Sequence, residues 1–164
     1  MEPGEALGVA AQIAVTLAGF AGVVVVFRRE SVHEWSTIDK FRLRLLLANS
    51  ILPLALCMAA LLLLTIEPPL TGVWRWCSSI AFVIFLLFAI TTQTGFGRLH
   101  LQQLQGAPAN LIYYLFLILG WGATLLQFYN VVLLGAFWPF FTGIVFQLVT
   151  AVLQFMRIVL MPPE

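Results

Sequence analysis

The most constraining feature of the chain is its C-terminal third, where residues 111–161 contain a single charged side chain, Arg157. A helix needs about 20 mostly apolar residues to cross the hydrocarbon core of a bilayer. The run of 51 residues is far too long for one crossing. We therefore expect two crossings with a break near residues 130–137, where Asn130, Gly135 and Pro139 are turn and helix-start signals.

Three earlier segments are also long and apolar enough to span a membrane. The predicted spans are 6–27, 43–66, 77–96, 111–129 and 138–160. The composition agrees, because the chain is 62% hydrophobic and 9% charged, whereas soluble domains are roughly 45–50% apolar and about 25% charged. The sequence predicts an all-α integral membrane protein with one transmembrane domain of about five helices. Four spans plus an interfacial helix are the alternative.

The basic residues predict an orientation, because cytoplasmic loops are enriched in Lys and Arg. An outside N-terminus with five spans places seven of the eight basic residues on the cytoplasmic side, whereas the opposite orientation places only Arg75 there. We therefore expect the N-terminus outside and the C-terminus in the cytoplasm. The first residues include Glu2 and Glu5 but no basic residue, unlike a cleaved signal peptide.

The distribution of ionisable residues argues against several functional classes. No Asp, Glu, Lys or His lies deep in a predicted span, and His33 and His100 fall in predicted loops. Proton relays need ionisable groups within the membrane, and enzymes need an acid–base or nucleophile constellation. Two cysteines are too few for a Cys-based metal site, and a net charge of +1 gives no basic field for nucleic acid. We expect a non-enzymatic protein without cofactor or metal.

Uncharged polar side chains do enter the predicted spans. On the last span, four polar residues recur at steps of three and four, which places them on one helix face. A face of amides and hydroxyls that leads to an Arg suits ions, and anions in particular. The candidate pore-lining residues are Gln147, Thr150, Gln154, Arg157, Thr91, Thr94 and Asn49. Ordinary hydrogen bonding between helices is the alternative interpretation.

Small residues recur every fourth position on the first span, at Ala10, Ala14, Ala18 and Gly22. Such spacing lets two helix backbones approach closely in a bilayer. The sequence predicts a helix-packing face, either within one copy or between copies.

The first predicted inner loop and its flanks are dense in charge. Arg28, Arg29, Arg42 and Arg44 are candidates for binding anionic lipid headgroups or a cytoplasmic ligand. Alternatively, this charge only sets the topology. Ser36 followed by Asp39 predicts the N-cap of the second helix.

The stretch QIAVTLAGFAGVVVVFRR at residues 12–29, followed by Trp35, Asp39 and Arg42, resembles uncharacterised small bacterial polytopic inner-membrane proteins. The resemblance covers roughly residues 12–42. It implies a multi-pass protein of the bacterial inner (cytoplasmic) membrane and supplies no activity, ligand or functional residue.

These observations lead to two functional hypotheses. The first is a self-associating membrane protein, a small oligomeric ion channel or pore with a basic cytoplasmic mouth. The alternative is an accessory or scaffold subunit of a larger membrane complex, without a pore of its own.

Overall fold

The computed structural model describes residues 2–27, 36–66, 71–103 and 107–160. The elements in chain order are α1 (Pro3–Phe27), α2 (Thr37–Leu64), α3 (Val73–Gln103), α4 (Ala107–Tyr129), a π-helical turn (Asn130–Leu134) and α5 (Phe137–Leu160). Five helices are long and apolar enough to cross a membrane. The predicted set of five membrane-spanning helices is confirmed, and their orientation stays a prediction.

The helices extend beyond the predicted spans because polar residues at their ends are also helical. α2 begins at Thr37 instead of residue 43. Ser36 is its N-cap, and the Ser36 hydroxyl accepts a hydrogen bond from the Asp39 N–H at 3.1 Å. The cap satisfies a backbone donor that has no partner within the helix. The predicted capping role of Ser36 is confirmed.

The break between α4 and α5 is shorter than the predicted residues 130–137. The chain continues from α4 directly into the π-helical turn, which ends at Gly135 with φ of 62°. The Gly135 N–H donates to the Asn130 carbonyl at 2.8 Å. This left-handed conformation favours glycine, which lacks a Cβ. Only residues 135–136 separate the π-helical turn from α5.

The chain divides into two compact units, which we call unit 1 and unit 2. Unit 1 comprises Met1–Pro69 and Ile144–Glu164, and unit 2 comprises Leu70–Gly143. In unit 1, α1 packs against α2, and the rings of Phe20 and Phe155 lie 5.7 Å apart. In unit 2, α3 packs against α4 and the π-helical turn.

The buried side of α1 differs from the predicted packing stripe. Ala10 and Ala14 are buried, Ala18 is half-buried and Gly22 is exposed. Residues four apart rotate by about 40° relative to each other, so a strict four-residue stripe drifts about 120° between residues 10 and 22. The buried side instead alternates steps of three and four, through Leu7, Ala10, Ala14, Leu17 and Ala21. The stripe therefore leaves the buried side after Ala14.

Many large apolar side chains lie on the surface of the chain. Val26 is 79% exposed, Leu62 67% and Ile118 68%. Exposed apolar surface of this extent is rare in soluble monomers. It suits contact with lipid acyl chains, as expected for a multi-pass membrane protein.

Candidate functional site

The four polar residues of α5 form a column along one side of the helix, which we call the α5 column: Gln147, Thr150, Gln154 and Arg157. All four belong to unit 1. Gln147 is 3% exposed and Thr150 is 6% exposed, whereas Gln154 and Arg157 are half-buried. Steps of three and four residues keep them on one face of a helix. The two residues nearest the middle of α5 are therefore withdrawn from the surface.

Asn49 of α2 lies beside the α5 column. Its Nδ2 donates to the Leu45 carbonyl at 2.9 Å and to Gln154 Oε1 at 3.4 Å. Asn49 is 2% exposed. The second distance exceeds the usual range of 2.7–3.2 Å for N–H···O bonds. Two of the candidate pore-lining residues, from positions 105 apart in sequence, are thus joined by a weak bond.

The hydroxyls near this site bond to their own helices. Thr150 donates to the Phe146 carbonyl at 2.8 Å, and Ser50 donates to the Leu46 carbonyl at 2.9 Å. Ser and Thr commonly satisfy their hydrogen this way inside helices. Each hydroxyl oxygen still has lone pairs that can accept a further hydrogen bond.

Gln147 carries a buried acceptor without a described hydrogen-bond partner. Its Oε1 is buried and accepts no hydrogen bond from any residue that the structure describes. Leaving a buried acceptor unpaired costs roughly 1–3 kcal/mol. This oxygen is therefore suited to accept from water or from a small solute with an N–H or O–H group.

The other two pore-lining candidates lie in unit 2. Thr91 and Thr94 of α3 are exposed. Thr91 donates to the carbonyls of Leu87 and Phe88 at 2.9 and 3.0 Å, and Thr94 donates to the Thr91 carbonyl at 3.1 Å. Both hydroxyls are satisfied by their own helix, as expected for Thr residues that face an apolar medium.

The structure describes two of the four arginines that are candidates for binding an anion. Arg42 Nη1 lies 3.4 Å from Asp39 Oδ1, in the first turns of α2, and Asp39 is buried. Arg44 is exposed. Arg28 and Arg29 lie outside the described residues. Of the four candidate arginines, the structure describes Arg42 and Arg44, and Arg42 is engaged by an acidic neighbour. A four-arginine anion site stays a prediction.

Unit 2 contains a second polar cluster, which we call the unit 2 clamp: Ser78, Gln127 and Asn130, all 0% exposed. Asn130 Nδ2 donates to Ser78 Oγ at 2.7 Å and to the Ala136 carbonyl at 2.9 Å, while Asn130 Oδ1 accepts from the Ala136 N–H at 2.9 Å. Gln127 Nε2 donates to the Pro139 carbonyl at 2.7 Å. The clamp joins α3, α4, the π-helical turn and the start of α5.

A glycine allows the close approach at this clamp. A Cβ at Gly143 would lie 2.7 Å from Gln127 Nε2 and 2.7 Å from Phe85 Cε2. Real Cβ contacts are not that short. Gly143 therefore lets the α5 backbone come close enough for Gln127 to reach the Pro139 carbonyl.

The sequence pattern does not predict the unit 2 clamp. Its signals are an amide inside an apolar span, at Gln127, and a second amide at Asn130, which from the sequence alone indicates only a break. Ser78 and Asn130 are 52 positions apart, and no local pattern indicates that they meet.

The amides and hydroxyls of both sites offer hydrogen bonding only, and Arg157 adds a positive charge to the α5 column. Amides and hydroxyls do not gain or lose protons near neutral pH. The α5 column and the unit 2 clamp can therefore bind or orient a polar group, but their side chains are poor acid–base catalysts.

No family model, no curated protein and no solved structure matches the chain. The resemblance over residues 12–42 and the bacterial origin that it implies therefore stay predictions.

Proposed function

We propose that this protein is a non-enzymatic, homo-oligomeric ion channel or pore in which each copy provides a path along the α5 column and Asn49. The proposal includes a bacterial inner membrane as its location, with the C-terminus in the cytoplasm. The observation that carries it is the buried Gln147 Oε1, which accepts from no described residue.

An unpaired acceptor in the middle of a polar column favours entry of water. Buried polar groups in proteins are nearly always hydrogen-bonded to protein or to ordered water. The weak contact of 3.4 Å between Asn49 Nδ2 and Gln154 Oε1 is readily exchanged for bonds to water. Together these groups support a narrow hydrated route past α5.

The burial of Gln147 and Thr150 favours a path inside each copy over a ring of their side chains between copies. A ring between copies needs side chains on the surface of the monomer, and these two are withdrawn from it. The proposed oligomer is then an assembly of copies that each contain a path of their own.

Arg157 is the basic residue of the column. A guanidinium at the mouth of a narrow path attracts anions and repels cations. In the proposed orientation it lies at the cytoplasmic end, so we expect a preference for small anions such as chloride.

The test is conductance of the purified chain in planar bilayers and anion flux into lipid vesicles. Thr150→Val and Thr142→Val form a matched pair, because both threonines lie on α5 and donate to an α5 carbonyl at 2.8 Å. Thr150 is buried, whereas Thr142 is exposed. Thr150→Val should lower conductance severalfold, and Thr142→Val should leave it unchanged. Arg157→Glu should reduce the preference for anions.

Two results contradict the proposal. One is the absence of conductance from vesicles that contain folded protein. The other is a purified particle whose mass equals one 18.2 kDa chain, because the proposed protein is a homo-oligomer.

An accessory subunit is the second candidate, and one observation favours it. A Cβ added at Gly8, Gly19 or Gly22 of α1 meets nothing within 4 Å. These glycines are not required by packing within the described chain, and small residues on a membrane helix admit a neighbouring helix. Gly19→Leu should then remove a stoichiometric partner protein that co-purifies with the wild type. Val26→Leu, at another exposed position of α1, should retain that partner.

A further inference from the structure

The side chain of Arg75 is held at one end of unit 2 by a glycine of the α4–α5 connection. A Cβ built on Gly135 would lie 2.9 Å from Arg75 Nε and 3.2 Å from Arg75 Cγ, so the arginine stem lies against the bare backbone of this glycine. The rings of Trp74 and Phe137 lie 4.7 Å apart, and they join the start of α3 to the start of α5. The position of the Arg75 stem is therefore set by contacts within unit 2.

The guanidinium of Arg75 is available to a ligand. Arg75 is exposed, and among the described residues no group forms an ion pair or a hydrogen bond with its guanidinium. A guanidinium offers five N–H donors in a planar fork that matches the oxygens of a phosphate. In the predicted orientation Arg75 is the only one of the eight basic residues outside the cytoplasm, where its charge does not help to set the topology.

The surroundings of Arg75 have the character of a membrane–water interface. Arg75 is the third residue of a candidate membrane span. Trp76 is 60% exposed and Trp138 is 56% exposed, and tryptophans are enriched at the level of the lipid headgroups. Val132 and Leu133, within the last three residues of another candidate span, are 53% and 61% exposed. A cation, exposed tryptophans and exposed aliphatic side chains thus occur together where two candidate spans end.

We propose that Arg75 binds the phosphate of a phospholipid headgroup, while the acyl chains of that lipid contact Val132 and Leu133. The guanidinium supplies the charge and the hydrogen-bond donors, and Gly135 fixes the arginine stem. A side chain that is already ordered loses less conformational entropy when it binds a ligand. The site contains none of the four arginines that the sequence indicates for lipid binding. It does not depend on conduction, and it holds for an accessory subunit as well.

The experiment is solid-state NMR of the full chain in phosphatidylcholine–phosphatidylglycerol vesicles, in a buffer without phosphate. The guanidinium carbons of arginine are labelled with carbon-13, and their dephasing by phosphorus-31 reports a nearby lipid phosphate. The Arg75 signal is assigned by its loss in Arg75→Gln. In the wild type we expect strong dephasing of this signal. Excess sulfate, an anion without phosphorus, should leave the dephasing unchanged.

Gly135→Ala and Gly72→Ala are a matched pair. Both glycines have a positive φ, of 62° and 74°, so alanine is strained in a similar way at both. A Cβ at Gly135 would displace Arg75 Nε, whereas the nearest atom to a Cβ at Gly72 is Arg75 Cδ at 3.7 Å, an ordinary contact. Gly135→Ala should lower the dephasing of Arg75 roughly threefold, because a hydrogen bond to phosphate needs a short and aligned contact. Gly72→Ala should leave it unchanged.

Three results overturn the proposal. The first is a wild-type Arg75 signal without dephasing by phosphorus. The second is loss of the dephasing in excess sulfate, because the site would then take free anions. The third is an effect of Gly135→Ala no larger than that of Gly72→Ala. The first two are measured on the wild type, so the test survives a glycine variant that fails to fold.

Discussion

The two units bury similar polar side chains but connect them differently. In the unit 2 clamp, four hydrogen bonds of 2.7–2.9 Å run from amide and backbone groups to other elements or to the α4–α5 connection. In unit 1, the described bond that joins Asn49 to the α5 column is 3.4 Å long. Short bonds between elements fix a structure, whereas long ones yield easily to water.

The difference indicates a division of labour. Unit 2 uses its amides to hold the π-helical turn and the start of α5, where two adjacent residues, Gly135 and Ala136, lie outside helical structure. In unit 1, Asn49 reaches Gln154 through a bond of 3.4 Å, and Gln147 Oε1 accepts from no described residue. Polar burial alone therefore does not identify a path for solutes. The partners of each polar group separate a structural cluster from a candidate path.

The largest expected effect is at Asn130. Asn130→Leu removes three bonds and leaves the Ala136 N–H and carbonyl without their side-chain partner. Because buried backbone groups that lose their partners are costly, we expect a loss of roughly 3 kcal/mol in the free energy of unfolding. Denaturant titration of the chain in mixed micelles measures it. If Asn130→Leu and a second variant, Asn49→Leu in unit 1, lowered the free energy of unfolding by the same amount, the contrast between the two units would disappear.

The next effect is at Gly143. Gly143→Ala places a Cβ 2.7 Å from Gln127 Nε2 and from Phe85 Cε2, so the clamp must open or α5 must shift. We expect a destabilisation of about 2 kcal/mol, typical of overpacking. Gly19→Ala in α1 is the control, because a Cβ there meets nothing within 4 Å. The control should be neutral or slightly stabilising, since Ala has the higher helix propensity. Equal destabilisation by both variants would show that Gly143 is not a close-packing position.

The contrast between the units also separates what sequence could predict from what it could not. The five membrane helices follow from apolar length alone, and the Ser36 cap follows from a local pattern of four residues. Both depend on interactions near in sequence. The α5 column is likewise a local feature, because helical periodicity places Gln147, Thr150 and Gln154 on one face.

The partners of those residues could not be predicted, because they are remote in sequence. The Asn49–Gln154 and Ser78–Asn130 pairs span 105 and 52 positions. The sequence of a membrane helix also does not determine which face points inward, because lipid and the interior of a helix bundle are both apolar. The same difficulty explains the departure of Ala18 and Gly22 from the buried side of α1. The small size of Ala18 and Gly22 is evident from the sequence, but the rotation of α1 against α2 is set by the packing of both helices.

A smaller effect is expected at Asn49. Asn49→Leu removes the weak bond to Gln154 and the local bond to the Leu45 carbonyl. Polar contacts between membrane helices average about 0.6 kcal/mol, and we expect a loss of that size in the same titration. Conductance should fall severalfold, because Leu closes part of the hydrated route. A destabilisation comparable to Asn130→Leu would make unit 1 a structural cluster like the unit 2 clamp.

The smallest effect on stability, and the sharpest division between the two interpretations of unit 1, is expected at Gln147. Gln147→Leu removes an acceptor that no described residue satisfies. If Oε1 stays dry, its removal relieves roughly 1–3 kcal/mol and the variant is clearly more stable. If water reaches Oε1, as the proposed path requires, no such penalty exists, and the free energy of unfolding should change by less than about 0.5 kcal/mol while conductance falls. Measuring both quantities on one preparation decides between the two. A strongly stabilised variant with unaltered conductance contradicts the path and leaves the α5 column as a polar face buried between helices.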